Sequence, residues 1–107
     1  MTVNAGPVSA DQSTVEAAPT SITAGTETST ITVTAKDEFG NLIAGATVVL
    51  EATGTGNVLT QPDNPTNASG VATGSLSSIV PETKTVSATI NSVAIKQTAT
   101  VTVELLP

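Results

Sequence analysis

An all-β sandwich of about seven short antiparallel strands is the fold this sequence predicts. Three observations predict it. Apolar side chains recur at every second position in several segments, the period that places them on one face of a sheet. β-Branched residues and Gly interrupt every window long enough to hold a helix. Turn-forming residues punctuate the chain roughly every 8 to 12 residues.

In chain order, a first strand is expected over Gln12 to Glu16, and Pro19 ends it, since proline cannot donate to a ladder and is confined to edges and bulges. An edge strand that changes sheets at that point fits. After the Ala24-Gly25 turn, Ile31, Val33 and Ala35 alternate with Thr30, Thr32 and Thr34. The Phe39-Gly40-Asn41 turn follows, and then Val48, Leu50 and Ala52 alternate with Thr47, Val49 and Glu51. Lys36 to Val48 therefore reads as strand, fixed turn, strand. Beyond Gly54-Thr55-Gly56, a weaker strand is expected over Asn57 to Gln61. The Pro62-Asp63-Asn64-Pro65 loop and the Ser69-Gly70 turn flank a strand over Val71 to Ser77, with Ala72 and Leu76 inward. Val86, Ala88 and Ile90 alternate with Thr85, Ser87 and Thr89, and Asn91-Ser92 turns the chain. The last strand alternates Ala99, Val101 and Val103 with Thr98, Thr100 and Thr102.

A chain of 107 residues fits one domain with one core. Hydrophobic residues make up 38% of it but aromatics only 1%, so Val, Ile, Leu and Ala must fill the interior. The Thr and Ser between them suit strands with one wet face. There is no cysteine, so no disulfide forms and thiols say nothing of the compartment. No apolar run approaches the roughly 20 residues of a membrane helix, and no signal peptide is recognisable. An exported parent would carry its signal outside this sequence, and direct membrane insertion is not expected.

Nine acidic residues face three lysines, Lys36, Lys84 and Lys96, with no arginine, for a net charge of -6. Nucleic acid is thereby a poor partner, because phosphate contacts depend on clustered Lys and Arg. Acidic membrane surfaces are disfavoured for the same reason.

Catalysis finds little to work with. The chain lacks His, Cys and Tyr, and with them the commonest general base, the thiolate nucleophile and the soft metal ligands. No catalytic residue and no cofactor is assigned. Asp37 and Glu38 are adjacent carboxylates that could hold a hard cation such as calcium through oxygen. The competing reading is a turn: Asp bonds backbone amides two residues on, and Gly40-Asn41 supplies the positive φ that such turns need. Asp63, between prolines in a stiff loop, is the second weak calcium candidate, and such loops also contact ligands or neighbouring domains. Phe39, the single aromatic, lies inside a turn. It either folds back to cap the core or faces outward as an interdomain contact. Asn67-Ala68-Ser69 matches an N-glycosylation acceptor, but the same residues fit a turn ahead of a strand.

The chain ends hold a further pattern. Thr2-Val3 and Pro7 recur as Thr102-Val103 and Pro107, a separation of 100 residues. That period is one domain, and it predicts a tandem array. On this division residues 1–8 are the tail of a preceding repeat or a linker, 9–104 are the domain, and 105–107 lead to the next.

Ordered along the chain, Ser13-Thr14-Val15, Ser29-Thr30-Ile31-Thr32-Val33, Asp37 through Gly45, Val48, Thr66 through Thr73, Leu76 and Thr85-Val86-Ser87-Ala88 resemble the group 1 bacterial immunoglobulin-like domains of intimin and invasin adhesins. The resemblance spans Ser13 to Val103. Leu42 stands where the family usually has Pro, and Val80-Pro81-Glu82-Thr83 replaces a small-residue turn. The resemblance implies an immunoglobulin-like sandwich of Greek-key topology whose first strand often changes sheets. It further implies a non-catalytic stalk repeat on the bacterial cell surface, outside the cell, flanked by similar repeats and projecting a distal binding tip. A single copy is then expected to be monomeric, with a host or cell-surface protein as partner of the parent. The alternatives are a ligand- or receptor-binding module, or an accessory domain of a secreted enzyme or phage structural protein. Sugar binding is disfavoured because no Trp or Tyr is present to stack on a pyranose.

Overall fold

The computed structural model describes residues 7–105. Its strands are β1 (Thr14–Ala18), β2 (Ser21–Thr23), β3 (Ser29–Thr34), β4 (Val48–Ala52), β5 (Asn57–Thr60), β6 (Val71–Ser78), β7 (Thr83–Ile90), β8 (Val93–Ala94) and β9 (Ala99–Glu104). One sheet runs β1-β3-β6-β5, the other β2-β9-β7-β4, with β8 paired to β7. This is the arrangement of an immunoglobulin-like sandwich.

The alternating apolar residues of β3, β4, β6, β7 and β9 fill the space between the sheets. Ile31, Val33, Leu50, Leu76, Val86, Ile90 and Val101 are buried there, joined by Val15 of β1 and Ile22 of β2. The opposite faces are wet and hydroxyl-rich: Thr30 pairs with Ser75, Thr32 with Thr73, Thr83 with Thr102 and Thr85 with Thr100.

Three expectations need correcting. β1 begins two residues late, because the Ser13 N–H donates to the Ser9 carbonyl and Ser9 Oγ accepts from Asp11 and Gln12, so the chain is still turning at Gln12. The change of sheet expected at Pro19 is found, with β1 in one sheet and β2 in the other and the crossing just after a cis Ala18-Pro19 bond. Not every pair is antiparallel, since β2 arrives running the same way as β9 and pairs with it in parallel. Finally, Lys36 to Val48 is no simple hairpin. Its turn closes at a Lys36–Leu42 bridge, but β3 and β4 belong to different sheets, so the chain beyond Leu42 crosses over.

Side-chain amides cover two sheet edges. Gln61 Oε1 accepts from the Leu50 N–H at 2.6 Å and its Nε2 donates to the Leu50 carbonyl at 2.8 Å, so Gln61 mimics a strand residue against β4. Gln97 Oε1 likewise accepts from the Val15 N–H of β1 at 2.8 Å. Such contacts blunt the exposed ladder groups through which sheets aggregate. Residues 1–6 and 106–107, on which the recurrence of Thr2-Val3 and Pro107 rests, lie outside the described residues.

Candidate functional site

The register fixes two poles. Thr34, at the end of β3, pairs with both Thr14 and Val71, the first residues of β1 and β6. The Ser9 N–H donates to the Lys36 carbonyl, so the chain comes in at this amino-terminal pole. At the far end of β6, the Gly25 N–H donates to the Ser78 carbonyl while its neighbour Ala24 donates to the carbonyl of Glu104. Leu105 therefore leaves at the opposite, carboxy-terminal pole. An eight-residue strand such as β6 separates the two by roughly 25 Å.

The amino-terminal pole is built from the two turn segments. Asp37 Oδ1 accepts from the Phe39 and Asn41 N–H groups, both at 2.9 Å, and Oδ2 accepts from Asn41 Nδ2 at 3.0 Å. Asp37 is 1% exposed, and its carboxylate serves as the staple of the turn. Gly40, at φ 82°, supplies the left-handed residue; Asn41 does not share that conformation. Asn67 works in the same way, its Oδ1 accepting from Ser69 and Val71, so the amide of the glycosylation-like triplet is occupied by an Asx turn. Thr66 joins the segments: its buried Oγ1 donates to the Ile43 carbonyl at 2.6 Å and accepts from the Ala46 N–H at 2.9 Å. Gly70 completes the junction, its carbonyl accepting from the Ala35 N–H at 2.8 Å. A Cβ on Gly70 would lie 2.9 Å from the Ala35 carbonyl oxygen.

With the turn pinned in this way, Phe39 is thrust outward, 81% exposed, and Leu42 beside it is 46% exposed. Phe39 is thus no cap on the core, because Asp37 draws the turn's polar backbone inward and leaves its tip in water. Pro7, Val8, Ser9 and Glu38 line a neighbouring hollow. Asp63 is exposed in the 62–65 loop, which with Asn67 and Thr73 borders a shallow groove of about 250 Å³. Asp37 and Asp63 lie in different loops, and among the described residues no group of three or more His, Cys, Asp or Glu side chains could hold a metal.

The carboxy-terminal pole holds a residue that periodicity overlooked. Lys84 stands one step before Val86 on the inward face of β7 and is wholly buried. Its Nζ donates to the Thr55 carbonyl at 2.8 Å and pairs with Glu82. The Lys84 ammonium and a backbone hydrogen bond at Thr55 hold the Glu82 carboxyl below its usual range. Extending the β7 alternation back by one step would have found it. Ile79 and Leu105 are exposed at this pole, at 71% and 77%. At the other pole the surface pair Lys96–Asp11, at 2.8 Å, raises the lysine's pKa.

A disulfide-free immunoglobulin-like module, with turn-built poles and apolar side chains at both, is the class these features define. The family model described as invasin, domain 3, matches residues 9–105, and the chain belongs to that family of intimin/invasin-type bacterial immunoglobulin-like domains. Among solved structures it is similar to the Escherichia coli adhesin FdeC, at 28% identity and a TM-score of 0.82, over 94% of this chain and 33% of that one. The Yersinia pseudotuberculosis adhesin InvE matches at 31% identity and a TM-score of 0.77, over 94% of this chain and 28% of its own. Invasin, described as a bacterial integrin-binding protein, matches at 35% identity and a TM-score of 0.74, over 92% and 20%. This chain thus spans a third or less of the length of these three adhesins. No curated protein matches it. No helix among the described residues is long and apolar enough to cross a membrane, which says nothing of β-barrels.

Proposed function

We propose that this domain is a non-catalytic stalk repeat of a bacterial cell-surface adhesin, holding a distal binding tip away from the cell. One observation carries the reading: the chain comes in and leaves at opposite poles, and each pole presents exposed apolar side chains, Phe39 and Leu42 at one and Ile79 and Leu105 at the other. Copies joined end to end would set these against each other, whereas the sheet faces between carry mostly Thr and Ser. Val49 and Val58 are exceptions on those faces. The named adhesins support the surface setting, and their greater length supports neighbouring domains. No metal or cofactor is needed for this role.

Phe39 is proposed as the interdomain contact. In the isolated domain Phe39→Ala should leave stability within about 0.5 kcal/mol of wild type, as for other exposed positions. Joined to the domain that precedes it in the parent polypeptide, the same substitution should lower the melting temperature of the pair. An unchanged pair would remove Phe39 from the interface, and a destabilised isolated domain would show that it serves the fold instead.

A further inference from the structure

The incoming and outgoing segments of the chain meet in one ladder. β2 pairs with β9 in parallel, Ser21 with Thr102, Ile22 with Val103 and Thr23 with Glu104, the one parallel pair among the described strands. Two backbone bonds bracket it: the Thr102 N–H donates to the Thr20 carbonyl at 2.8 Å, and the Ala24 N–H to the Glu104 carbonyl at 2.9 Å. Because β2 follows β1 away from the amino-terminal pole and β9 ends at the other, tension on the two chain ends pulls β2 and β9 past each other along their length. The pull runs along the strands and across the hydrogen bonds between them, so it strains those bonds together instead of one after another.

We propose that β2 and β9 form a shear clamp that bears axial tension on the domain. The source of that tension rests on the stalk reading; the clamp itself rests on the strand geometry. Both strands are fastened behind. Ile22 is buried in the core at 1% exposure, and the buried Ser29 Oγ donates to the Pro19 carbonyl at 2.7 Å, holding the crossover. Glu27 Oε1 accepts from the Thr23 N–H at 2.6 Å. On its other side β9 is held by β7, where the Val103 N–H donates to the Glu82 carbonyl at 2.9 Å.

Single-molecule pulling tests this by changing direction alone. The full chain is pulled by its two ends, and a Thr28→Cys variant is pulled by residue 28 and the carboxyl terminus. The native chain has no cysteine, so that attachment is unique. Thr28 and Leu105 follow the carboxyl ends of β2 and β9, so the second direction unzips the same ladder bond by bond. At equal loading rate, end-to-end unfolding should need the greater force, since forced unfolding reads the barrier and not the equilibrium stability. Ala24→Pro, which deletes the donor to Glu104, should speed unfolding at constant end-to-end force by about tenfold. Equal forces in both directions, or an unchanged rate in a folded Ala24→Pro chain, would overturn the clamp. Should Ala24→Pro not fold, the two directions alone decide. Rigid arrays without directional resistance would end the clamp and leave the stalk, and directional resistance in a domain that spaces nothing would do the reverse.

Discussion

Lys84 Nζ reaches the carbonyl oxygen of Thr55 across 2.8 Å from a side chain with no exposed surface, tying the β4–β5 loop to the start of β7. An ammonium so placed is tolerable because both a carbonyl and the Glu82 carboxylate accept from it. Lys84→Ala should therefore destabilise the domain by about 2 kcal/mol, through a lost hydrogen bond and lost packing of the stem. Lys84→Met, which keeps the stem, should lose less. Urea unfolding read as a shift in midpoint at constant slope checks both.

The partner carboxylate gives a pH dependence with a definite sign. The folded domain holds Glu82 below its ordinary value of 4.5, so its contribution is present above that value and is lost as pH falls through the lowered one. Stability of the wild type should decline on that acid limb, and Glu82→Gln should decline less steeply. Denaturation midpoints taken across the acid range measure the difference in slope.

At the other pole, Asp37 accepts two backbone N–H bonds and one from Asn41 while nearly fully buried. Asp37→Ala should cost about 2 kcal/mol, in keeping with the loss of bonds to a charged acceptor. A carboxylate already engaged in this way offers little to a cation, so millimolar calcium should leave the melting temperature of the wild type unmoved. A rise on adding calcium would identify a ligand-induced stabilisation and return Asp37 or Asp63 as ligands.

Gly70 lies at φ 74°, and a Cβ there would press on the Ala35 carbonyl oxygen at 2.9 Å. Gly70→Ala should destabilise by at least about 1 kcal/mol, from the backbone conformation as well as the close approach. Gly40→Ala, at a φ of 82° but with open space around it, should be the milder of the two. Thermal melts of the two variants side by side separate crowding from backbone conformation.

Most of the sandwich was legible because β3, β4, β7 and β9 alternate a buried aliphatic residue with a wet Thr, Ser, Val or Glu, and period 2 is a local signal. What was not legible depended on distant partners. The direction of β2 is set by β9, some 80 residues away, and no local pattern announces a parallel pair. Gln61 and Gln97 read as ordinary polar residues until β4 and β1 supply the edges they cover. Phe39 was ambiguous between core and surface because composition favours burying an aromatic, whereas the Asp37 turn decides which way the loop tip points. The buried Lys84 escaped attention because a charged residue at the start of a strand resembles the end of its alternation.

The measurement that tests the stalk most directly is small-angle scattering of this domain joined to its native neighbours, with and without calcium. The account predicts a rod with one fixed spacing between domains, the same in both conditions, and a looser joint in Phe39→Asp. A flexible string with no preferred spacing would contradict it, as would a domain with no similar neighbour in its parent, and either would favour a ligand-binding or accessory module.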